Sequence, residues 1–289
     1  MQNRPGIGII GGSGLYHLEG LTDAVEREVS TPWGPPSDRI MHGCFAGRDL
    51  YFLPRHGRGH RILPHEINHR ANIHALRSLG VRWIISVSAV GSLQPQYEPR
   101  DVVLPDQFYD RTSRRREHTF FGEGIVAHIA FADPVSPRLR GLALQAAREA
   151  GARVHDGGTY VNMDGPAFST RAESRTNQRL GFDVIGMTNL GEAKLAREAQ
   201  IAYVTLAMVT DYDCWKEDEA PVSAEVVMGH LHHNGVTARK IITAMVPQIP
   251  TVADWPEHRA LQGAVMTPRE CWPPATAQKL ALFLEDHNP

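Results

Sequence analysis

The chain has 289 residues, 42% of them hydrophobic and 21% charged, with a formal net charge of −2. That suits a globular protein of one or two domains; it gives no electrostatic case for nucleic acid or an acidic membrane, and no apolar run approaches the ~20 residues of a membrane span. Three scattered cysteines (Cys44, Cys214, Cys271) and a first apolar stretch, 6–10, too short and glycine-rich for a signal peptide point to a reducing, cytoplasmic setting.

Residues 7–10 read as the first strand. The turn Gly11-Gly12-Ser13-Gly14 follows directly, and its amides and hydroxyl suit an anion such as phosphate. Gly6, Gly8 and Gly11 satisfy G-x-G-x-x-G literally, but a dinucleotide fingerprint needs a strand before the first glycine, and only five residues precede it. Residues 38–45 and 50–54 flank Gly47 and read as a hairpin. It delivers Arg55 and His56, donors suited to phosphate. His65-Glu66-Ile67-Asn68-His69 satisfies H-E-x-x-H, and a helix starting after Pro64 would put both histidines on one face. With no third ligand evident downstream, a polar helix face is expected rather than zinc.

Residues 83–90 and 101–104 are predicted strands, and the small residues Ser88-Ala89-Val90-Gly91-Ser92 close the first of them with room for a ligand. The run Arg114, Arg115, Arg116 reads as a solvated loop. A helix is predicted after Ser136, with Pro137 in its first turn, Gly151 as its stop, and Leu139, Leu142, Ala143, Ala146 and Ala150 at helical spacing. Gly165-Pro166-Ala167-Phe168-Ser169 leads into a second helix, opened by a Thr170/Glu173 capping box. Residues 183–187 and 201–209 are further strands; the first ends on Gly186-Met187-Thr188. This alternation predicts one α/β domain over 1–250, with a central mixed β-sheet flanked by helices. Pro and Trp accumulate over 247–274, and an amphipathic segment follows at 279–285. Residues 251–289 are therefore expected to form a C-terminal extension that packs on the body or on a neighbouring subunit.

The run 201–209 delivers two acids, Asp211 and Asp213. In an extended segment residues i and i+2 point the same way, so both carboxyls can face one pocket, where one can hold a proton near neutral pH. Alone, Asp-x-Asp is more often a solvated turn. Yet Ser13, Arg55, Ala89, Met187 and Asp211 all fall at predicted carboxyl ends of strands, where open α/β sheets bind ligands.

At these residues the chain resembles the trimeric purine nucleoside phosphorylase family, in its methylthioadenosine phosphorylase branch, from about 6 to 250. The resemblance rests on Ile-Ile-Gly-Gly-Ser-Gly-Leu at 9–15, Thr-Pro-Trp-Gly-Pro-Pro-Ser at 31–37, Arg-His-Gly at 55–57, Asp-Gln-Phe-Tyr-Asp-Arg-Thr at 106–112, Ser-Thr-Arg-Ala-Glu at 169–173 and Thr-Asp-Tyr-Asp-Cys-Trp-Lys at 210–216. It implies a nucleoside phosphorylase-like fold, a nucleoside substrate, inorganic phosphate as co-substrate, no metal or other cofactor, and a homotrimer. It also places the segment around His65 in an ordinary helix. Ser13, Arg55, His56, the backbone of Ala89, and Thr188 would hold phosphate. Phe168 would lie against the purine and Met187 on the ribose. Asp211, as the acid, and Asp213 would bind the N7 and 6-amino edge, with Ser169 and Ala224 tuning specificity. His128 and Met266 would come from a neighbouring subunit and enclose the 5′-methylthio group. Three departures stand out: Ala167 where relatives carry Arg, Asn189-Leu190-Gly191-Glu192 in the loop after Met187 in place of Thr-Val-Pro-Glu, and a longer tail.

The expected reaction is phosphorolysis of 5′-methylthioadenosine. An acid at N7 neutralises the departing base while phosphate attacks C1′. A protonated carboxyl beside a carboxylate matches adenine and not a 6-oxo purine. The alternatives are a purine nucleoside phosphorylase preferring adenosine, inosine or methylthioinosine, and a non-catalytic nucleoside- or phosphate-binding protein.

Overall fold

The computed structural model describes residues 4–12, 15, 18–113, 115–217 and 222–284. Its strands are β1 (Gly6–Gly11), β2 (Thr22–Arg27), β3 (Ile40–Phe45), β4 (Arg48–Pro54), β5 (Val81–Ser92), β6 (Val102–Leu104), β7 (Gln107–Asp110), β8 (Val154–Asp156), β9 (Thr159–Asn162), β10 (Val184–Gly186) and β11 (Ala202–Asp211). Its helices are α1 (His69–Ser78), α2 (Pro137–Glu149), α3 (Arg171–Arg179), α4 (Asn189–Glu198), α5 (Ala224–Met245), α6 (Pro274–Lys279) and α7 (Ala281–Leu284).

All the strands join one mixed sheet, in the order β2-β3-β4-β1-β5-β10-β9-β7, with β11, β6 and β8 branching from β5. The hub is β5. Its apolar run from Trp83 to Ile85 is buried on both faces, as a central parallel strand requires. β11 runs parallel to it as far as Gly91. On the other edge β1 pairs in parallel only as far as Ser86, and β10 pairs antiparallel only at Gly91 and Ser92. Along 87–90 no described strand covers that edge. The sheet splits there, and a split of this kind opens a crevice for a ligand.

Side-chain alternation builds two cores from the same strands. Trp83, Ile85, Val204 and Leu206 pack under α2 and α5. Ile84 and Tyr203 face α1, α4 and the C-terminal residues Leu261, Leu280 and Phe283. The predicted caps are present. Ser136 Oγ accepts from the Leu139 amide at 3.4 Å, with Pro137 in the first turn. Thr170 and Glu173 form their reciprocal pair at 3.2 and 2.8 Å.

Several boundaries differ from expectation. β5 continues through Ser92, so Ala89 is an exposed residue inside the strand, not at its end. Residues 189–192 form the first turn of α4 and not a loop. His65 lies on a 3-10 turn (Pro64–Glu66), and His69 opens α1, so the two histidines do not share a helix. The short strands β2, β7, β8 and β9 carried no clear alternation and were not anticipated.

Several of the described residues 249–284 contact the rest of the chain. Trp255 packs edge-on to Trp83 at 6.3 Å, and Arg48 reaches the carbonyls of Ile249 and, at 3.1 Å, Pro250. The Phe283 ring sits 4.4 Å from Phe120 and 5.7 Å from His74.

Candidate active site

The Asp211–Asp213 motif is buried, at 8% and 6% exposure, which removes the solvated-turn reading. All ten residues of β11 are buried. Near its end the register shifts: Val209 opposes Val90 and Asp211 opposes Gly91, so Thr210 is an extra residue. Such a bulge re-aims the side chain that follows. Thr210 Oγ1 donates to Asp211 Oδ2 at 2.7 Å, and the Asp213 amide donates to Asp211 Oδ1 at 2.7 Å. Asp213 has φ +52°, in the left-handed region. The two acids therefore do not share a face of an extended segment; a tight turn folds Asp213 back onto Asp211. Burial pushes the Asp213 carboxyl above its ordinary range, against the Ser174 and Ser169 hydroxyls and the Cys214 amide. Gly91 makes room for the pair, since a Cβ there would stand 2.9 Å from Asp211 Oδ1.

The purine-loop candidates are tied to this motif. Cys214 Sγ donates to the Ser169 carbonyl at 3.3 Å. Gly165 has φ +66°, and a Cβ there would meet Met187 Sδ at 2.5 Å, so the loop crosses directly over Met187. Phe168, 42% exposed, stands at the corner between them.

At the sheet split the picture is different from a free phosphate-binding fork. Arg55, 3% exposed, gives Nε to Glu192 Oε1 at 2.5 Å and Nη2 to Glu192 Oε2 at 3.2 Å. Nη2 also donates to Ser86 Oγ at 2.6 Å, and Nη1 to the Val87 carbonyl at 3.0 Å. Of five guanidinium N–H groups, this leaves one on Nη1. Burial pushes Glu192 up, but Arg55 outweighs it and holds the carboxylate below its ordinary range. His56 Nδ1 lies 2.8 Å from the Ile62 carbonyl, and its ring stacks on His60 at 4.4 Å. Burial, with Arg55 nearby, lowers His56 to about 4, so it is neutral at pH 7. Thr188 is buried just before α4, and its hydroxyl donates to Asn189 Oδ1 at 3.2 Å. Ser13 lies outside the described residues.

Sequence reasoning missed Glu192, Ser86 and Asn189 as parts of this site. The available signals were Ser86 inside an apolar strand, and Asn189 and Glu192 three apart at helical spacing. Their pairing with Arg55, 137 residues from Glu192, exists only in the fold.

The segments carrying His128 and Met266 are bridged to each other. Ala127 bridges Val265; the His128 amide donates to the Ala264 carbonyl at 2.9 Å, and the Met266 amide to the Val126 carbonyl at 2.8 Å. Both side chains are exposed, Met266 at 63%. Ala224, exposed, opens α5. Among the described residues no group of three or more His, Cys, Asp or Glu side chains is placed to hold a metal ion, and no helix is long and apolar enough to cross a membrane.

The class is defined by the sequence: the profile of the phosphorylase superfamily matches residues 6–247. The S-methyl-5′-thioadenosine phosphorylase of Gloeobacter violaceus is 53% identical, over 96% of this chain and 94% of its own length. That of Geobacter sulfurreducens is 51% identical, over 96% and 97%. A crystal structure of a methylthioadenosine phosphorylase from an antarctic soil metagenomic library superposes with a TM-score of 0.92, at 47% identity, over 98% of this chain and 100% of its own. A mutant adenosine/methylthioadenosine phosphorylase of Schistosoma mansoni, in complex with adenine, superposes at 0.83, with 35% identity and 98% coverage of both chains. The chain belongs to the methylthioadenosine phosphorylase family of that superfamily.

Proposed function

We propose that this protein cleaves 5′-methylthioadenosine with inorganic phosphate, giving adenine and 5-methylthioribose 1-phosphate. The observation that carries the reading is the buried Asp211–Asp213 pair, set against Gly91 beside the split in the sheet. The purine sits between Phe168 and Met187, and the acid pair reads its N7 and 6-amino edge. Breaking the C1′–N9 bond leaves negative charge on the base and positive charge on the ribosyl group. Asp211 presents the proton to N7. Burial raises the neighbouring Asp213 carboxyl, which favours a proton held within the pair. The remaining carboxylate accepts from the 6-amino group, with Ser169 alongside. Ala167 contributes only a methyl group to the purine loop.

Phosphate occupies the sheet split, held by the exposed Ala89 backbone, the Thr188 hydroxyl, the remaining Arg55 Nη1 N–H and His56, with Ser13 from the glycine turn. Its charge stabilises the cationic sugar. Phosphate beside His56 favours the imidazolium, offsetting the burial that otherwise keeps the ring neutral. The chain works as a homotrimer in which the neighbouring subunit's copies of His128 and Met266 cover the 5′-methylthio group, and Ala224 lines the mouth. No metal takes part, and the setting is cytoplasmic.

The test measures free base from methylthioadenosine, adenosine and inosine, each with and without phosphate. Phosphate-dependent release of adenine, fastest from methylthioadenosine, is expected. Equal release without phosphate means hydrolysis and ends the reading. Adenosine is the second substrate to weigh, since a relative at 35% identity carries both substrates in its name.

A further inference from the structure

We propose that Asn189 is a positioning residue for phosphate, joining the Thr188 hydroxyl to the Arg55–Glu192 pair through a single buried amide. The inference rests on the phosphorolysis reading above. Asn189 is fully buried. Its Oδ1 accepts from Thr188 Oγ1 at 3.2 Å and from Tyr160 OH at 3.1 Å. Its Nδ2 lies 2.9 Å from Tyr203 OH, 3.0 Å from Thr205 Oγ1 and 3.1 Å from Ser86 Oγ. Two hydroxyl donors on one side and three acceptors on the other fix which way the amide points.

The hydroxyls beyond it lead on to Glu192. Ser86 Oγ accepts from Arg55 and donates to Glu192 Oε2 at 2.7 Å. Tyr203 OH donates to the same oxygen at 3.0 Å. Glu192 Oε2 thus takes three donors, and its charge is matched by Arg55. A chain of oriented bonds runs from Thr188 to Arg55, with Asn189 at its centre. The amide accepts from the Thr188 side and donates to the Ser86 side at once, which a carboxylate cannot do. When phosphate takes the Thr188 proton, Asn189 Oδ1 keeps the Tyr160 hydrogen bond, so no buried acceptor is orphaned. The residue touches neither phosphate nor nucleoside in this arrangement; it sets the direction of two groups that do.

Asn189→Asp keeps the shape and replaces the donor by a second carboxylate near Glu192. Burial and that neighbour push the new acid up, so it is neutral at low pH and charged at high pH. The expected result is a phosphate KM raised at least 30-fold at pH 8.5 and falling back toward wild type at pH 6, with the methylthioadenosine KM within threefold throughout. Tyr160→Phe leaves Thr188 as the sole donor to Asn189 Oδ1, which holds its hydroxyl off phosphate more strongly. Its phosphate KM is expected to rise several-fold with the nucleoside KM unmoved. If Asn189→Asp does not fold, Tyr160→Phe decides alone. A parallel rise of both KM values, a pH-independent change, or an unmoved phosphate KM overturns the proposal. Wild-type base release without phosphate would instead overturn the phosphorolysis reading itself, a distinct outcome.

Discussion

Gly91→Ala probes the acid pair without touching either acid. A Cβ at this position would lie 2.9 Å from Asp211 Oδ1, 3.1 Å from Ile185 Cγ2 and 3.3 Å from the Asp213 Cβ. Ordinary carbon contacts begin near ~3.5 Å, so the Asp211 carboxylate must retreat by about 0.5 Å. Ile185 can give a little; the Asp211 carboxylate is pinned by Thr210 and by the Asp213 amide, so the pair moves together. Misplacing a reacting group by ~1 Å costs ~10²-fold, so turnover should fall by about 10- to 100-fold. The stability cost is smaller. Overpacking costs about 1–3 kcal/mol, and the lower entropy of the unfolded chain returns about 0.4–1 kcal/mol. A net loss of about 1–2 kcal/mol lowers Tm by only a few degrees in a chain of this size. The assay is kcat at saturating phosphate and methylthioadenosine, with a thermal melt of the same sample. Wild-type turnover would refute the close approach. An unfolded variant would refute the claim that the effect is local.

Further outcomes follow from other parts of the molecule. Asp211→Asn should lower turnover roughly 10²-fold or more with little change in Tm; near-normal activity would remove Asp211 from the acid role. Glu192→Ala leaves the Arg55 guanidinium buried and unmatched, and should cost about 3–5 kcal/mol in a denaturant melt; a cost below about 1 kcal/mol would contradict the pairing. Burial lowers His74 to about 4, so the unfolded chain takes up a proton here between pH 6.5 and about 4 that the native chain refuses. The contribution of His74 is full above pH 6.5 and is lost as pH falls through that window. Replacing His74 by Phe should therefore raise Tm relative to wild type more at pH 5 than at pH 8; an equal difference at both would reject it. Phe283→Ala empties the aromatic cluster of Phe120 and His74 and should cost about 3–5 kcal/mol by the same melts.

What the sequence made legible was what local chemistry decides. Ser136 with Pro137, and Thr170 with Glu173, mark helix starts because a cap needs only residues three apart. The apolar run into Asp211 marks a buried strand for a similar reason. The turn at Asp213 was legible as an Asp-x-Asp turn, with the Asp211 side chain accepting the amide two residues on; its burial was not, because that depends on the bulge at Thr210 and on Gly91. Residues 189–192 resembled a loop because Gly191 weakens the helical pattern; packing on the sheet overrides that cost. The Glu192 partner of Arg55 was not legible, because nothing in the neighbourhood of Arg55 shows a carboxylate 137 positions away. The segments carrying His128 and Met266 are joined by a single bridge that no local pattern announces.

The uncovered edge of β5 along 87–90 has a further meaning. An interior strand normally has both edges sealed, and an open one is a defect in the cooperative unit. Whatever fills the gap acts as the missing strand, so occupancy of the site and rigidity of the sheet become one equilibrium. Amide exchange at 87–90 should then slow as phosphate is added, while the β1 half of the sheet, already sealed to Ser86, should not respond.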